Sequence, residues 1–194
     1  MTSTRLLFFA GSTRKGSLNR ALAAYAHRLA AAKGHDAELI DLSDYTLPVY
    51  NADLQNSEGI PENARKLKAT IAAHHGVFIA SPEYNASVPA MLKNTLDWLS
   101  RIKDEGEPSL QVFKSRVFAI SSASPSMHGG VRGLIALRQV LAGGLGALVL
   151  PEQFAVSQAN KAFDDAGEAK DESVRKTVEG IVDRLAFTAQ RLRP

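Results

Sequence analysis

Residues 6–22 read LLFFAGSTRKGSLNRAL, and the change of character inside this stretch decides the fold. Leu6–Ala10 is an unbroken apolar run, too short for a helix, and matches a strand buried on both faces. Leu22, Ala26, Leu29 and Ala30 then recur on one helical face until Gly34 stops the helix. Between the two lie small, hydroxyl-bearing and cationic residues, Gly11–Asn19. A turn alone needs only one or two of them.

The same alternation continues outward. Ala37–Asp41 (AELID) reads as a second strand and LPVYNADL, residues 47–54, as a loop. A helix over residues 62–73 leads into GVFIA, residues 76–80, a third strand. Pro89 suits a first helical turn, with Met91, Leu92, Thr95, Leu96 and Leu99 at helical spacing behind it. Arg116–Ser122 contains VFAIS, a fourth strand. Leu134, Leu137, Val140 and Leu141 mark a further helix, closed by Gly143, Gly144 and Gly146. Ala147–Leu150 supplies a fifth strand and the polar run 160–171 a loop. Val174, Val178, Ile181, Val182 and Leu185 mark a long last helix. Strict alternation predicts an α/β protein: a parallel sheet covered by helices on both faces, with right-handed crossovers. In such sheets ligands gather at the carboxyl ends of the strands. Three compositionally odd loops occupy those ends: 11–19, 81–89 and 121–130.

The 194 residues suffice to bury a core without metal or disulfide support, and one domain over residues 1–194 is expected. There is no cysteine, so disulfides, thiolate nucleophiles and thiolate metal sites are excluded; electron transfer would need a bound cofactor. The net charge is +3, with Lys and Arg scattered along helical segments, the pattern of a solvated surface and not of a nucleic-acid face. No apolar run approaches the ~20 residues that span a bilayer, and LLFFA is too short for a signal-peptide core. A cytoplasmic protein with no nucleic-acid or membrane partner is expected.

GSTRKGS, residues 11–17, begins like a P-loop, with Gly11 and Gly16 five apart. The Lys-Ser or Lys-Thr required next is replaced by Ser17-Leu18, which argues against a nucleoside triphosphate. G-x-G-x-x-G is also missing, so a Rossmann pyrophosphate site lacks its glycines. Asp41 could imitate a ribose-binding acid at the end of the second strand; alone it reads as a strand-end or turn carboxylate. What remains suits one terminal phosphate. The helix starting near Leu18 offers unpaired amides and a positive dipole end. Ser12, Thr13, Ser17 and Asn19 add donors, and Arg14 adds a charge-assisted fork. Ser17 alone is a helix cap and Arg14 alone a surface cation; the set points to a mononucleotide.

Residues 81–99 read SPEYNASVPAMLKNTLDWL. Pro82 and Pro89 stiffen this loop, Tyr84 offers a flat apolar face, and Asn85, Ala86 and Ser87 can turn amides toward a ligand. The plainer reading is a lead-in to a helix capped by Ser87. Taken together, GSTRKGSLN and SPEYNASVPAMLKNTLDWLSR resemble the NAD(P)H-dependent FMN reductases of flavodoxin-like fold, a group that includes bacterial quinone and chromate reductases and some azoreductases. The resemblance extends over essentially the whole chain. It implies a three-layer sandwich around a five-stranded parallel sheet in the order 2-1-3-4-5, with FMN as cofactor and NADPH or NADH as co-substrate. By position, it implies that Ser12, Arg14, Ser17, Leu18 and Asn19 grip the FMN phosphate. Pro82, Glu83, Tyr84 and Asn85 would lie beside the isoalloxazine ring, and Ser122, Ser124, Gly129 and Gly130 near its pyrimidine side. A homodimer or homotetramer is implied as well. Ala86 stands where the family often has Gly, and Pro125 and Ser126 where a glycine is common; both departures bear on substrate rather than fold.

A flavin site asks little of side chains, because the cofactor carries the hydride step. No catalytic residue and no metal ligand is therefore expected. His74 and His75 read as helix-end residues that cap carbonyls or face solvent. His128 lies close to the third loop, where contact with substrate is the less favoured reading, and Asp97 and Trp98 read as packing or interface residues. Arg101 and Arg132 are cations able to attract the phosphates of NAD(P)H. The expected function is hydride transfer from NAD(P)H through FMN to a small-molecule acceptor: a quinone, azo compound, metal oxyanion or flavin. The alternative is a flavodoxin-like electron carrier. Such carriers are usually acidic with a Thr-rich phosphate loop, whereas this chain is basic with Ser-Thr-Arg-Lys. A phosphate-binding regulatory protein without redox role is a third reading.

Overall fold

The computed structural model describes residues 4–164 and 166–192. Strands β1 (Arg5–Ala10), β2 (Asp36–Leu39), β3 (Gly76–Ala80), β4 (Val117–Ala123) and β5 (Leu148–Val156) form one parallel sheet in the order β2-β1-β3-β4-β5. Helices α1 (Leu18–Ala32) and α7 (Glu172–Arg191) cover one face. The other face carries α3 (Glu62–Ala73), α4 (Ala90–Ser100) and α6 (Val131–Arg138). Two short helices, α2 (Ala52–Glu58) and α5 (Gln111–Lys114), lie in connections. Among the described residues no helix is long and apolar enough to cross a membrane.

Successive strand side chains point to opposite faces, which divides the apolar residues into two cores. Leu6, Phe8 and Ala10 meet α1 and α7, while Leu7 and Phe9 meet the helices opposite. β3 divides in the same way, Phe78 and Ala80 against Val77 and Ile79. Helices cover both faces, so β3 is buried throughout and β1 from Leu6 onward. Each fully buried Leu or Phe of this kind contributes about 1.5–3 kcal/mol relative to exposure. Ala23, Ala26 and Ala30 bring α1 close to the sheet with little side-chain bulk between. Trp98 of α4 is fully buried and donates its indole N–H to the Pro48 carbonyl at 2.8 Å.

Several boundaries differ from expectation, each for a local reason. β5 continues to Val156 rather than ending at Leu150. Pro151 is tolerated because β5 is an edge strand, and the register shifts there: Phe118 faces Val149 but Ile120 faces Gln153. β2 ends at Leu39, and Asp41 instead caps a 3-10 turn, Leu42–Tyr45, by accepting from Ser43 N at 2.9 Å. Asn51, inside the expected loop, accepts from Asp53 N at 2.7 Å and starts α2. That helix buries no residue, so it leaves no apolar stripe to read. Pro89 stands just before α4 at the cap position, not inside the first turn. β4 is displaced by one residue, to Val117–Ala123. α6 passes into a π-type turn, Gln139–Gly144. Asp165, within the expected 160–171 loop, lies outside the described residues.

β1, β3 and β4 are neighbours, so the loops that follow them emerge side by side. Gly11 N donates to Ala80 O at 2.8 Å and Ser81 N to Ser121 O at 2.8 Å. Asn19 then fastens α1 to β4: its side-chain N–H donates to Ala123 O and its side-chain oxygen accepts from Ala123 N, both at 2.9 Å and both buried. Asn19→Ala leaves both groups of Ala123 unpaired and is expected to cost about 2–4 kcal/mol, read as a lower urea midpoint. A loss under about 0.5 kcal/mol, the lower end for one ordinary hydrogen bond, would remove Asn19 from this role.

Candidate functional site

The first loop is rich in unpaired donors. Gly16, at φ 67°, turns the chain, and Ser17 N donates to Arg14 O at 3.1 Å. Ser17 caps α1, its hydroxyl oxygen accepting from Arg20 N at 3.4 Å. The amides of Ser12, Thr13, Gly16, Leu18 and Asn19 have no acceptor among the described residues. Ser12 and Ser17 are themselves buried. A phosphate only accepts, so a cluster that only donates is its complement. Arg14 is exposed and its guanidinium bonds its own loop, donating to Lys15 O at 3.2 Å and Gly16 O at 3.3 Å. Asn19 is tied down more than expected: its side-chain oxygen and one N–H of its amide are committed to Ala123, which leaves the other side-chain N–H and the backbone N–H to donate.

The second loop is closed by a two-residue turn. Tyr84 N donates to Ser87 O and Ser87 N to Tyr84 O, each at 3.0 Å. Asn85 (φ 49°) and Ala86 (φ 62°) are left-handed, a conformation that costs about 1–2 kcal/mol for a residue with a Cβ. Ser87 therefore closes the turn rather than capping α4. Tyr84 is half exposed. Glu83 is not: it accepts from Gly133 N at 3.1 Å and pairs with the Arg132 guanidinium, its side chain only 10% exposed. A Cβ at Gly133 would come within 3.0 Å of the Glu83 Cα, so the absence of a side chain there permits this contact. Burial pushes the Glu83 carboxyl up, but the Arg132 guanidinium and the Gly133 N–H outweigh it and hold it below the usual carboxylate range. Arg132, expected as a cation able to attract NAD(P)H phosphates, is paired with Glu83.

The third loop is locked internally. Ser122 is fully buried and its hydroxyl donates to Gly129 O at 2.7 Å. Gly129 (φ 61°) and Gly130 (φ 93°) are left-handed. A Cβ at Gly130 would lie 2.0 Å from the Ser122 hydroxyl oxygen, and one at Gly129 2.6 Å from Ala155 O. Ser124 donates to the Ser126 hydroxyl at 3.2 Å, and Ala159 N braces the loop through Ser124 O at 2.9 Å. His128 and Met127 are exposed.

The remaining sequence candidates lie elsewhere. His74 caps α3, Nδ1 lying 2.7 Å from Thr70 O and Nε2 3.2 Å from a Glu38 oxygen. His75 Nδ1 accepts from Arg5 N at 3.0 Å, at the amino edge of the sheet. Asp97 pairs with Lys93 on α4, and the Arg101 guanidinium stacks 4.9 Å from the Tyr50 ring centre. Two features went unread in the sequence. One is the grip of Arg132 and Gly133 on Glu83, for which V-R-G after the double glycine was the available signal. The other is a hollow beside the first loop, whose walls come from distant segments.

Residues 4–161 match the family model described as NADPH-dependent FMN reductase. The chain belongs to this family. The quinone reductase of Escherichia coli K12 is 35% identical over 188 residues, covering 94% of each chain. The NAD(P)H-dependent FMN reductase of Pseudomonas aeruginosa is 34% identical over 190 residues and 97% of each. Among solved structures, a flavoenzyme NAD(P)H:(acceptor) oxidoreductase from Paracoccus denitrificans aligns with a TM-score of 0.80 at 28% identity, covering 97% of this chain and 98% of that one. The sheet order and the helices on both faces are thus those of a flavodoxin-like reductase. For a member of the FMN reductase family, the unpaired amides of the loop before α1 have the chemistry that the cofactor's phosphate requires.

A carboxyl whose pKa is lowered on folding contributes stability that is fully present above its unfolded pKa, roughly 4.3 for Glu, and lost as pH falls through the folded value. The wild-type protein is expected to lose thermal stability below about pH 4.5 more steeply than Glu83→Gln, the two curves converging at low pH. Parallel curves from neutral to acid pH would show that Glu83 contributes no such lock.

Proposed function

We propose that this chain, working as one FMN-binding domain over residues 1–194, takes hydride from NADPH or NADH and reduces quinones, azo compounds, metal oxyanions or flavin. Bound FMN supplies the hydride chemistry. The observation that carries the reading is the set of acceptor-free amides at Ser12, Thr13, Gly16, Leu18 and Asn19, in a chain of the FMN reductase family. These amides hold the cofactor phosphate, assisted by the Ser12 and Ser17 hydroxyls and by Arg14 once it turns from its own loop carbonyls. Leu18 acts through its backbone N–H alone, and Asn19 through its backbone N–H while its side chain holds Ala123. Pro82, Glu83, Tyr84 and Asn85 flank the ring, Glu83 by anchoring the loop to α6. Gly129 and Gly130 shape the pyrimidine side, with Ser122 and Ser124 bracing them. No side chain is assigned a proton-transfer role, since the Glu83 carboxylate is taken up by Gly133 N–H and Arg132 and the Ser122 hydroxyl by Gly129 O.

The Escherichia coli relative is named a quinone reductase, which favours a quinone acceptor and an enzyme over an electron carrier. Tyr84, Met127 and Ile135 leave apolar surface exposed on the second loop, the third loop and α6, which supports a homodimer or homotetramer covering that side. A cytoplasmic location completes the reading.

Purified protein is expected to carry flavin absorbance after reconstitution and to oxidise NADPH or NADH when a benzoquinone is added. Absence of flavin binding, or no turnover with either nicotinamide, would overturn the assignment. Arg14→Ala is expected to weaken FMN binding by about 1.5–3 kcal/mol, measured by fluorescence titration. Unchanged affinity would return Arg14 to the solvated surface.

A further inference from the structure

Beside the first loop lies a cavity of about 760 Å³ that shares Ser12, Gly16 and Ser17 with the flavin phosphate loop but extends away from it toward β2. It opens between α1 and the end of β2. One wall is the α1 face carrying Arg20, Ala21 and Ala24, positions at helical spacing opposite Asn19. Leu39, Asp41 and Tyr45 form the other wall. The volume falls within the ~300–1,000 Å³ of small-molecule and cofactor sites.

Three kinds of chemistry meet there. Leu39, the alanines and the Tyr45 ring are apolar or flat. Asp41 is held in place, one oxygen accepting from Ser43 N at 2.9 Å and the other pairing with Arg20 at 2.5 Å; both oxygens keep lone pairs for hydroxyl donors. Lys15 also borders the cavity, exposed and without a carboxylate partner among the described residues. A flat base, a ribose diol and a phosphate answer to these three in turn. In Rossmann dinucleotide folds, an acid some twenty residues beyond the glycine-rich turn hydrogen-bonds the ribose 2′-hydroxyl, and a nearby cation accommodates a 2′-phosphate.

We propose that this cavity receives the adenosine half of the NAD(P)H co-substrate, and that Lys15 reads the 2′-phosphate that distinguishes NADPH from NADH. The inference rests on the reductase reading, because the co-substrate is what brings an adenosine to the site. The Arg20–Asp41 pair spans the two walls: a ribose diol adds to it at Asp41, and a phosphate draws on Arg20. The cavity also borders Ser12 and Ser17, so the competing occupant is the flavin phosphate itself.

The test uses the full chain reconstituted with FMN and two variants. Ala24→Phe fills the cavity from α1; Lys15→Ala changes an exposed loop position. Calorimetric titration with ADP-ribose and with its 2′-phosphate reads binding apart from turnover, and saturation curves with NADH and NADPH give KM and kcat. Ala24→Phe is expected to weaken both ligands and raise both KM values by about tenfold or more, roughly one 1.4 kcal/mol step, with kcat and FMN content unchanged. Lys15→Ala is expected to raise KM for NADPH alone by about tenfold, the size of one charged hydrogen bond. Wild-type binding and KM in Ala24→Phe overturn the proposal. FMN lost in step with the dinucleotide also overturns it and gives the cavity to the flavin phosphate. Should Ala24→Phe not fold, Lys15→Ala decides: equal effects on both nicotinamides, or none, overturn the proposal. A wild-type protein that holds no FMN, or oxidises neither nicotinamide, fails the reductase reading instead, and its titration with ADP-ribose still reports on the cavity.

Discussion

The side chain of Asn19 and the peptide of Ala123 exchange two buried hydrogen bonds, and the arrangement of the site depends on this exchange. β3 lies between β1 and β4, so the bonds reach across a strand and hold the first turn of α1 over the carboxyl edge of the sheet. The loop before α1 must then arch from β1 to a fixed point. A helix start has no internal partners for its first amides, and the arched loop supplies one for Arg20 N alone, through the Ser17 hydroxyl. The unpaired N–H groups of Ser12, Thr13, Gly16, Leu18 and Asn19 follow from that constraint, and together they complement an acceptor-only group.

The other two loops resolve their polarity in the opposite way. Glu83 turns to Arg132 and Gly133, Ser122 turns to Gly129, and each contact is made possible by a glycine where a Cβ would collide. Groups that elsewhere serve as acids or nucleophiles are occupied here in holding backbone. This suits chemistry carried by a cofactor, in which the protein contributes position and shape. The residual strain sits at Asn85 and Ala86, at the tip of the second loop. Strained backbone persists only where the surroundings over-determine it, and the paired Tyr84–Ser87 bonds on one side with the Glu83 anchor on the other do so.

How far the sequence could be read follows from the range of the forces involved. β1 and β3 were legible because burial on both faces demands continuous apolar side chains. α1, α4 and α7 were legible through their helical period, and the first loop stood out through the density of its donors. The length of β5 was hidden by Pro151 and by polar residues that an edge strand admits. α2 was hidden because it rests on a side-chain cap and buries nothing. Asn19 was read as a donor to a ligand since its partner lies 104 residues away; composition near Asn19 contains no trace of Ala123. Glu83 and Arg132 are 49 residues apart, and likewise neither residue signals the other. Local pattern thus located the loops, while the tertiary contacts decided which donors were left over.

One helix start supplies one cluster of amides. If those amides serve the resident cofactor, any second phosphate must be met by side chains, and the first loop with the first turn of α1 offers Lys15 and Arg20 for that purpose. The two means differ in kinetics as well as in place. Backbone donors are fixed before binding, cost little ordering and suit a group that stays. Long cationic side chains must be ordered each time at a cost of roughly 0.5–1.5 kcal/mol each, which moderates affinity and suits a co-substrate that must depart in every turnover. A flavin held by amides and a dinucleotide held by lysine and arginine would share one loop without competing for the same donors.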